Sequence, residues 1–169
     1  MTRVYVPATI EILHELVTES KFDPMSRTAF AVTATLREAY SSGDDEELAE
    51  VAMGEAARAS LRLIAGRLSE GGDGVRFRRV VVAADVDDVT PRPDLDDAVV
   101  RLPGPVTLSQ VASVHVDLAE AEPDIERAVA AIDEADLGDP DAEFVLGDAE
   151  DHVLAWYATQ EISFLLELL

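Results

Sequence analysis

The stretch "RFRRVVVAADV", residues 76–86, decides the fold. Residues 80–84 of this stretch are uninterrupted apolar residues, and the first three are the β-branched residue valine. A strand with one face in water alternates apolar and polar residues, whereas a strand buried on both faces is a continuous apolar run. The stretch therefore predicts a central strand of a sheet, and Asp85 marks the point where the chain leaves the sheet interior.

Strand and helix patterns alternate on both sides of this strand. The segments "RVYVPAT" (3–9), "AVVRL" (98–102) and "VASVHVD" (111–117) are typical of strands. Apolar residues recur at helical spacing in "TIEILHELVTES" (9–20) and over 44–70. This alternation predicts an α/β fold, or a mixed α+β fold, with a single mixed sheet of about five or six strands and helices packed on it.

The chain is expected to form a single globular domain over residues 1–169, because its length is that of one ordinary hydrophobic core. Residues 137–151, "LGDPDAEFVLGDAED", are acidic and interrupted by glycine and proline. They are therefore predicted to form an acidic loop within the domain. Thr9 and Thr35 are expected to cap the helices that follow them, the latter in a capping box with Glu38.

The formal charge of −22 excludes several classes of function. Such a field repels phosphate backbones and anionic lipid surfaces, so neither nucleic-acid binding nor membrane binding is expected. Cysteine is absent, which excludes disulfides and thiolate ligands. Pro7 and Glu11 interrupt the segment where a signal peptide would be apolar. We therefore expect a cytoplasmic protein.

Acidic residues follow two of the predicted strands. If the strands at 3–7, 80–85 and 111–117 run parallel, Thr9, Asp85 and Asp117 meet at one edge of the sheet, where open α/β sheets bind their ligands. Asp85, His115 and Asp117 are then candidate catalytic residues, and Asp85, Asp87 and Asp117 are candidate ligands of a divalent cation. Alternatively, Asp85 and Asp117 cap loops or helices, and His115 makes a local hydrogen bond.

A divalent cation is the only cofactor that the sequence suggests, and no known cofactor-binding motif is present. The string "DVDDVTPRPDLDD" (85–97) lacks the central glycine and the twelfth-position glutamate of a calcium loop. The "GGDG" at 71–74 has neither the spacing nor the preceding strand of a phosphate-binding loop.

The C-terminal segment is unusually apolar for so acidic a chain. Its large side chains are candidate interface residues of a homodimer or of a complex with a protein partner, and the main candidates are Trp156, Phe164, Leu165 and Leu168. The alternative is that this segment is a last strand and helix that close the core.

Several segments together resemble a family of uncharacterised actinobacterial single-domain proteins. The resemblance lies in "MTRVYVPAT" at the start, "RRVVVAADV" in the middle, "VASVHVD" later and "WY" near the end. It implies a cytoplasmic, actinobacterial protein of one domain. It implies no activity, cofactor or catalytic residue.

Three hypotheses of function remain at this point. The favoured one is a non-catalytic protein that acts through protein–protein contacts. The second is a small cation-dependent hydrolase or phosphoryl-transfer enzyme that uses the carboxylates at the strand ends. The third is a small-molecule binding module.

Overall fold

The computed structural model describes residues 1–169 and contains nine strands and six helices. The strands are β1 (Thr2–Ala8), β2 (Lys21–Phe22), β3 (Thr28–Phe30), β4 (Val80–Val86), β5 (Thr90–Pro91), β6 (Val99–Arg101), β7 (Val106–Thr107), β8 (Val111–Val116) and β9 (Ala155–Ala158). The helices are α1 (Ile10–Glu19), α2 (Ala34–Ala39), α3 (Asp45–Ser69), α4 (Glu122–Asp136), α5 (Pro140–Glu150) and α6 (Ile162–Glu167).

Seven strands form the main sheet in the order β5-β6-β3-β1-β4-β8-β9, and β2 pairs with β7 in a separate small sheet. The predicted class, a sheet with helices packed on it in a mixed α+β arrangement, is confirmed. The sheet has seven strands and is larger than the expected five or six; its edge strand β5 has only two residues and therefore no recognisable strand pattern. Every pairing is antiparallel, so the parallel orientation that a common site would need is not met: β4 runs opposite to both β1 and β8.

Strand β4 lies inside the sheet and is covered on both faces, as predicted for residues 80–84. Each of these five residues is at most 1% exposed. Val80, Val82 and Ala84 belong to a cluster of 22 buried residues shared with α1 and α6. Val81 points to the opposite face and packs in a second cluster with residues of α3. The sheet is therefore the middle layer between α1 with α6 on one side and α3 on the other.

A buried serine joins α3 to the sheet. The hydroxyl of Ser60 donates to the carbonyl of Ala8 at 2.7 Å and accepts from the backbone N–H of Val80 at 3.1 Å. Ser60 is fully buried. It satisfies backbone groups at the last residue of β1 and the first residue of β4, where the ladder between the two strands ends. A hydroxyl at this position fixes α3 along the sheet.

The prediction of a loop over 137–151 is wrong, since most of this segment is helix α5. Asp139 caps the helix by accepting from the backbone N–H groups of Asp141 (2.9 Å) and Ala142 (3.2 Å), and Pro140 occupies the first turn. The buried residues Ala142, Leu146 and Ala149 pack in a third cluster, shared with α3 and α4. Two of these three residues are alanines, so the apolar face of the helix is too weak to stand out among its acidic neighbours.

The expected helix caps are confirmed at one position and wrong at the other. The hydroxyl of Thr9 accepts from the N–H of Ile12 at 3.2 Å and caps α1 as predicted. Helix α2 is capped by Thr33, which accepts from the N–H of Leu36 at 3.0 Å, and not by Thr35. Among the six helices, none has a stretch long and apolar enough to cross a lipid bilayer.

We predict that Ser60→Ala lowers the free energy of unfolding by about 1–3 kcal/mol, because it leaves a buried N–H and a buried carbonyl without this partner. Chemical denaturation monitored by circular dichroism measures the change. Ser69→Ala is the control, since the exposed hydroxyl of Ser69 bonds only to Gly66 within its own helix end. Equal effects of the two substitutions would contradict the anchoring role of Ser60.

Candidate functional site

The two strand-end carboxylates of the sequence-based site lie at opposite ends of the sheet. Asp85 pairs in register with Arg3 near the start of β1, whereas Asp117 follows β8 and donates its N–H to the carbonyl of Arg79 just before β4. Asp85 lies six positions after Arg79 along the same extended segment, which corresponds to about 20 Å at the rise of a strand. The expected common site of Asp85, His115 and Asp117 is therefore not formed, because antiparallel neighbours place their carboxyl ends at opposite edges.

Asp117 forms the most buried ion pair of the molecule with Arg79. The guanidinium donates from Nε to Oδ2 at 2.9 Å and from Nη2 to Oδ1 at 2.8 Å, and the backbone N–H of Arg79 adds a third bond to Oδ2 at 2.8 Å. Arg79 also donates to the carbonyl of His152 at 3.0 Å. Both side chains are almost inaccessible to solvent. This pair joins the start of β4, the end of β8 and the segment before β9.

Asp85 and Asp87 lie at the other end of the sheet, near the surface. The guanidinium of Arg3 donates to both oxygens of Asp85, at 2.8 and 3.1 Å, and this hydrogen bonding lowers the pKa of the Asp85 carboxyl. Asp87 is exposed in the bend after β4. No group of three or more histidine and carboxylate side chains in the structure has an arrangement that could hold a metal ion.

His115 makes the local hydrogen bond that the alternative interpretation predicted. Its Nε2 lies 3.2 Å from the hydroxyl of Ser113, two residues earlier on the same face of β8. Burial, and to a lesser extent the charge of Arg3, lowers the pKa of its imidazole. Both effects favour the uncharged imidazole.

A cavity of about 590 Å³ lies beside His115, between α3 and the chain segment that leads into β9. We call it the α3 cavity. It is open to solvent on one side, and its wall includes Val51, Met53, Leu61 and Leu154 as apolar residues. Its charged and titratable lining residues are Glu50, Glu55, Arg58, Arg79, His115, Glu150 and His152. The volume falls in the range of small-molecule sites in proteins.

The charges that line the α3 cavity are unequally paired. Arg79 is neutralised by Asp117, and Arg58 donates to Asp136 and Glu143 at distances between 2.8 and 3.2 Å. Glu55 has no ion pair. Burial, followed by the charge of Asp96, raises the pKa of the Glu55 carboxyl, although the charges of Arg62 and Arg58 act in the opposite direction. The cavity therefore carries carboxylates without an ion pair against a partly apolar wall.

Sequence reasoning found His115 but missed the other polar residues of this cavity. Glu55 had a usable signal, because it lies three and four residues from Val51, Ala52 and Ala59, within the apolar stripe of α3. A carboxylate on the buried side of a helix is unusual. Glu150 and His152 had no such signal. Glu150 is the last residue of α5 and His152 follows it, and the sequence predicts a loop over most of this region.

The C-terminal interface candidates are divided between two surfaces and the core. Leu165 is only 5% exposed and packs in the cluster beneath the sheet, so it is not a surface residue. Phe164 (70% exposed) and Leu168 (85%) lie one turn apart on the outer side of α6. Trp156, 61% exposed, lies on β9 opposite His115, on the face of the sheet that α3 covers.

The match to a family model covers residues 2–166, nearly the whole chain. The chain belongs to DUF6912, a family of unknown function. No curated protein and no solved structure matches it. Membership in DUF6912 confirms the resemblance to an uncharacterised family, whereas the actinobacterial origin stays a prediction.

The different burial of the two ion pairs predicts different effects of neutralising their carboxylates. Asp117→Asn should lower the free energy of unfolding by about 3–5 kcal/mol, because the charge of Arg79 is left buried without its partner. Asp85→Asn is the matched control and should cost no more than about 1 kcal/mol, since water screens its half-exposed pair. Urea denaturation of both variants tests this, and similar losses would contradict it.

The burial of Glu55 predicts a pH-dependent effect on stability. Its folded pKa is raised, so between the unfolded and folded pKa values the native state binds more protons than the unfolded state, and stability falls as pH rises. Glu55→Gln removes this penalty. The variant should therefore be more stable than wild type at pH 7, and the difference should shrink as pH falls towards about 4.

Thermal unfolding of wild type and Glu55→Gln over this pH range measures the effect. The control is Glu46→Gln, which removes the same charge from an exposed position in the first turn of α3. A destabilised Glu55→Gln variant at neutral pH would show that Glu55 has a stabilising partner.

Proposed function

We propose that the protein acts through protein–protein contacts, as a homodimer in which two copies pair along the outer edge of β9. The observation that carries this proposal is that the two edges of the main sheet are built differently. Edge strand β5 is two residues long, contains Pro91 and is followed by Arg92. Short length, proline and charge are the devices that block pairing at sheet edges. Edge strand β9 is twice as long, with four residues, and contains neither proline nor a charged residue.

The sequence around β9 is uncharged although the chain as a whole is strongly acidic. Residues 153–160, "VLAWYATQ", contain no charged residue, glycine or proline. Val153 and Trp156 are large apolar side chains exposed to solvent within this segment. A second β9 strand therefore meets no like charge within residues 153–160, and the nearest acidic residues, Asp151 and Glu161, flank this segment.

The hydrogen-bonding groups of β9 are suited to antiparallel pairing with a copy of itself. The N–H of Ala158 donates to the carboxylate of Glu161 at 2.8 Å, so it points away from β8. Backbone groups of alternate residues point to the same side of a strand, so the N–H and C=O of Trp156 also face outward. Two copies related by a two-fold axis near Trp156 exchange these two hydrogen bonds and place the indole rings in a cross-strand aromatic pair.

The dimer should form more readily at high salt than at low salt. Each chain has a net charge of −22, and the repulsion between two copies is screened over about 10 Å at 0.1 M ionic strength. A basic partner would show the opposite dependence.

The cytoplasmic location and the absence of catalysis are parts of this proposal that rest on the sequence alone.

The test is sedimentation equilibrium of wild type, Trp156→Lys and Phe164→Lys at 0.05 M and 0.5 M salt. Both variants change the net charge equally and replace an exposed aromatic residue. Trp156→Lys should weaken dimerisation by at least about tenfold, because it places a charge on the pairing edge. Phe164→Lys should dimerise like wild type. A monomeric wild type at both salt concentrations, or dissociation caused by Phe164→Lys alone, would contradict pairing along β9.

A further inference from the structure

The α3 cavity has the features of a binding site, and most of its wall lies outside the segment that the proposed dimer uses. It combines a volume of about 590 Å³ with an apolar wall that includes Val51, Met53, Leu61, Val153 and Leu154. An apolar wall with a small number of polar groups is the usual composition of a small-molecule site. The apolar part of the wall calls for a ligand with an apolar body.

The polar groups of the cavity determine the charge of that ligand. Arg58 and Arg79 hold their own carboxylate partners and offer no free positive charge to an anion. Glu50, Glu55 and Glu150 line the cavity without an ion pair or a side-chain hydrogen bond; Glu55 is half-buried, whereas Glu50 and Glu150 are exposed. A cation supplies what Glu55 lacks, because an unpaired charge that is partly withdrawn from water is costly until it gains a partner.

His115 adds a third group that tolerates a cation. Burial lowers the pKa of its imidazole, which favours the uncharged ring and reduces repulsion of a positive ligand. His115 lies on the cavity wall at the point where β8 pairs with β9.

We infer that the α3 cavity binds a small organic cation, a primary ammonium ion with an apolar body, whose charge is held by Glu55 and Glu150. The ammonium group donates up to three hydrogen bonds, and carboxylates are its strong acceptors. The apolar body lies against the valine, methionine and leucine side chains of α3 and of the segment before β9. Glu55 belongs to α3 and lies outside the β9 edge, whereas Val153 and Leu154 belong both to the cavity wall and to the uncharged segment around β9.

Isothermal titration calorimetry of the full chain tests this inference with matched probes. Butylammonium and benzylammonium are each compared with the corresponding alcohol, which has the same apolar body without the charge. Calcium chloride and benzoate complete the set. We expect one of the ammonium ions to bind at one site per chain, and the alcohols and benzoate to bind at least about tenfold more weakly.

Two carboxamide variants and one control locate the site. Glu55→Gln should weaken ammonium binding by at least about tenfold, and Glu150→Gln should weaken it by a smaller factor. Glu46→Gln removes the same charge outside the cavity and should bind like wild type. Binding that is unchanged in Glu55→Gln and Glu150→Gln, equal binding of the alcohols, calcium binding that depends on Glu55, or no binding of either ammonium ion would overturn the inference. Circular dichroism of each variant verifies that binding is measured on folded protein.

Discussion

Burial of β4 on both faces is the constraint on which the rest of the structure depends. A run of five apolar residues without alternation must be covered on each side, and two layers of helices supply that cover. On one side α1 and α6 pack against Val80, Val82 and Ala84. On the other side α3 covers Val81 and is held in place by the Ser60 hydroxyl. The positions of both candidate surfaces follow from this layering.

The antiparallel neighbours of β4 then decide where the polar residues lie. Asp117 is brought to the beginning of β4, where Arg79 neutralises it inside the protein, and Asp85 is left near the surface at the far end. Both carboxylates have structural partners. The uncompensated charge lies instead on α3, where Glu55 faces a cavity, and the uncharged segment lies at β9, the free edge of the sheet. The carboxylates that draw attention in the sequence are therefore the ones already used for stability.

Residues with strong local patterns were predicted correctly, and features that depend on partners distant in sequence were not. The apolar run of β4, the spacing in α1 and α3 and the cap at Thr9 are local signals that determine local structure. Strand direction is decided by how the connections cross the sheet, and a pattern such as "VASVHVD" is the same in either direction. Helix α5 does not stand out in the sequence because alanines form much of its buried face. Leu165 follows directly after the exposed Phe164, and neighbouring residues of a helix point in different directions, so the sequence does not distinguish the inner from the outer side of α6.

The most direct test of this account is the set of cross-strand nuclear Overhauser effects between β1, β4 and β8 in a labelled sample. The antiparallel register predicts that Val80 is close to Ala8 and Val116, that Val82 is close to Val6 and Val114, and that Val86 is close to Thr2. Contacts in the reverse order across β4 and β8, with Val80 near Val111 and Ala84 near Val116, would show that these two strands run parallel. That result would bring Asp85 and Asp117 to one edge and would contradict the account.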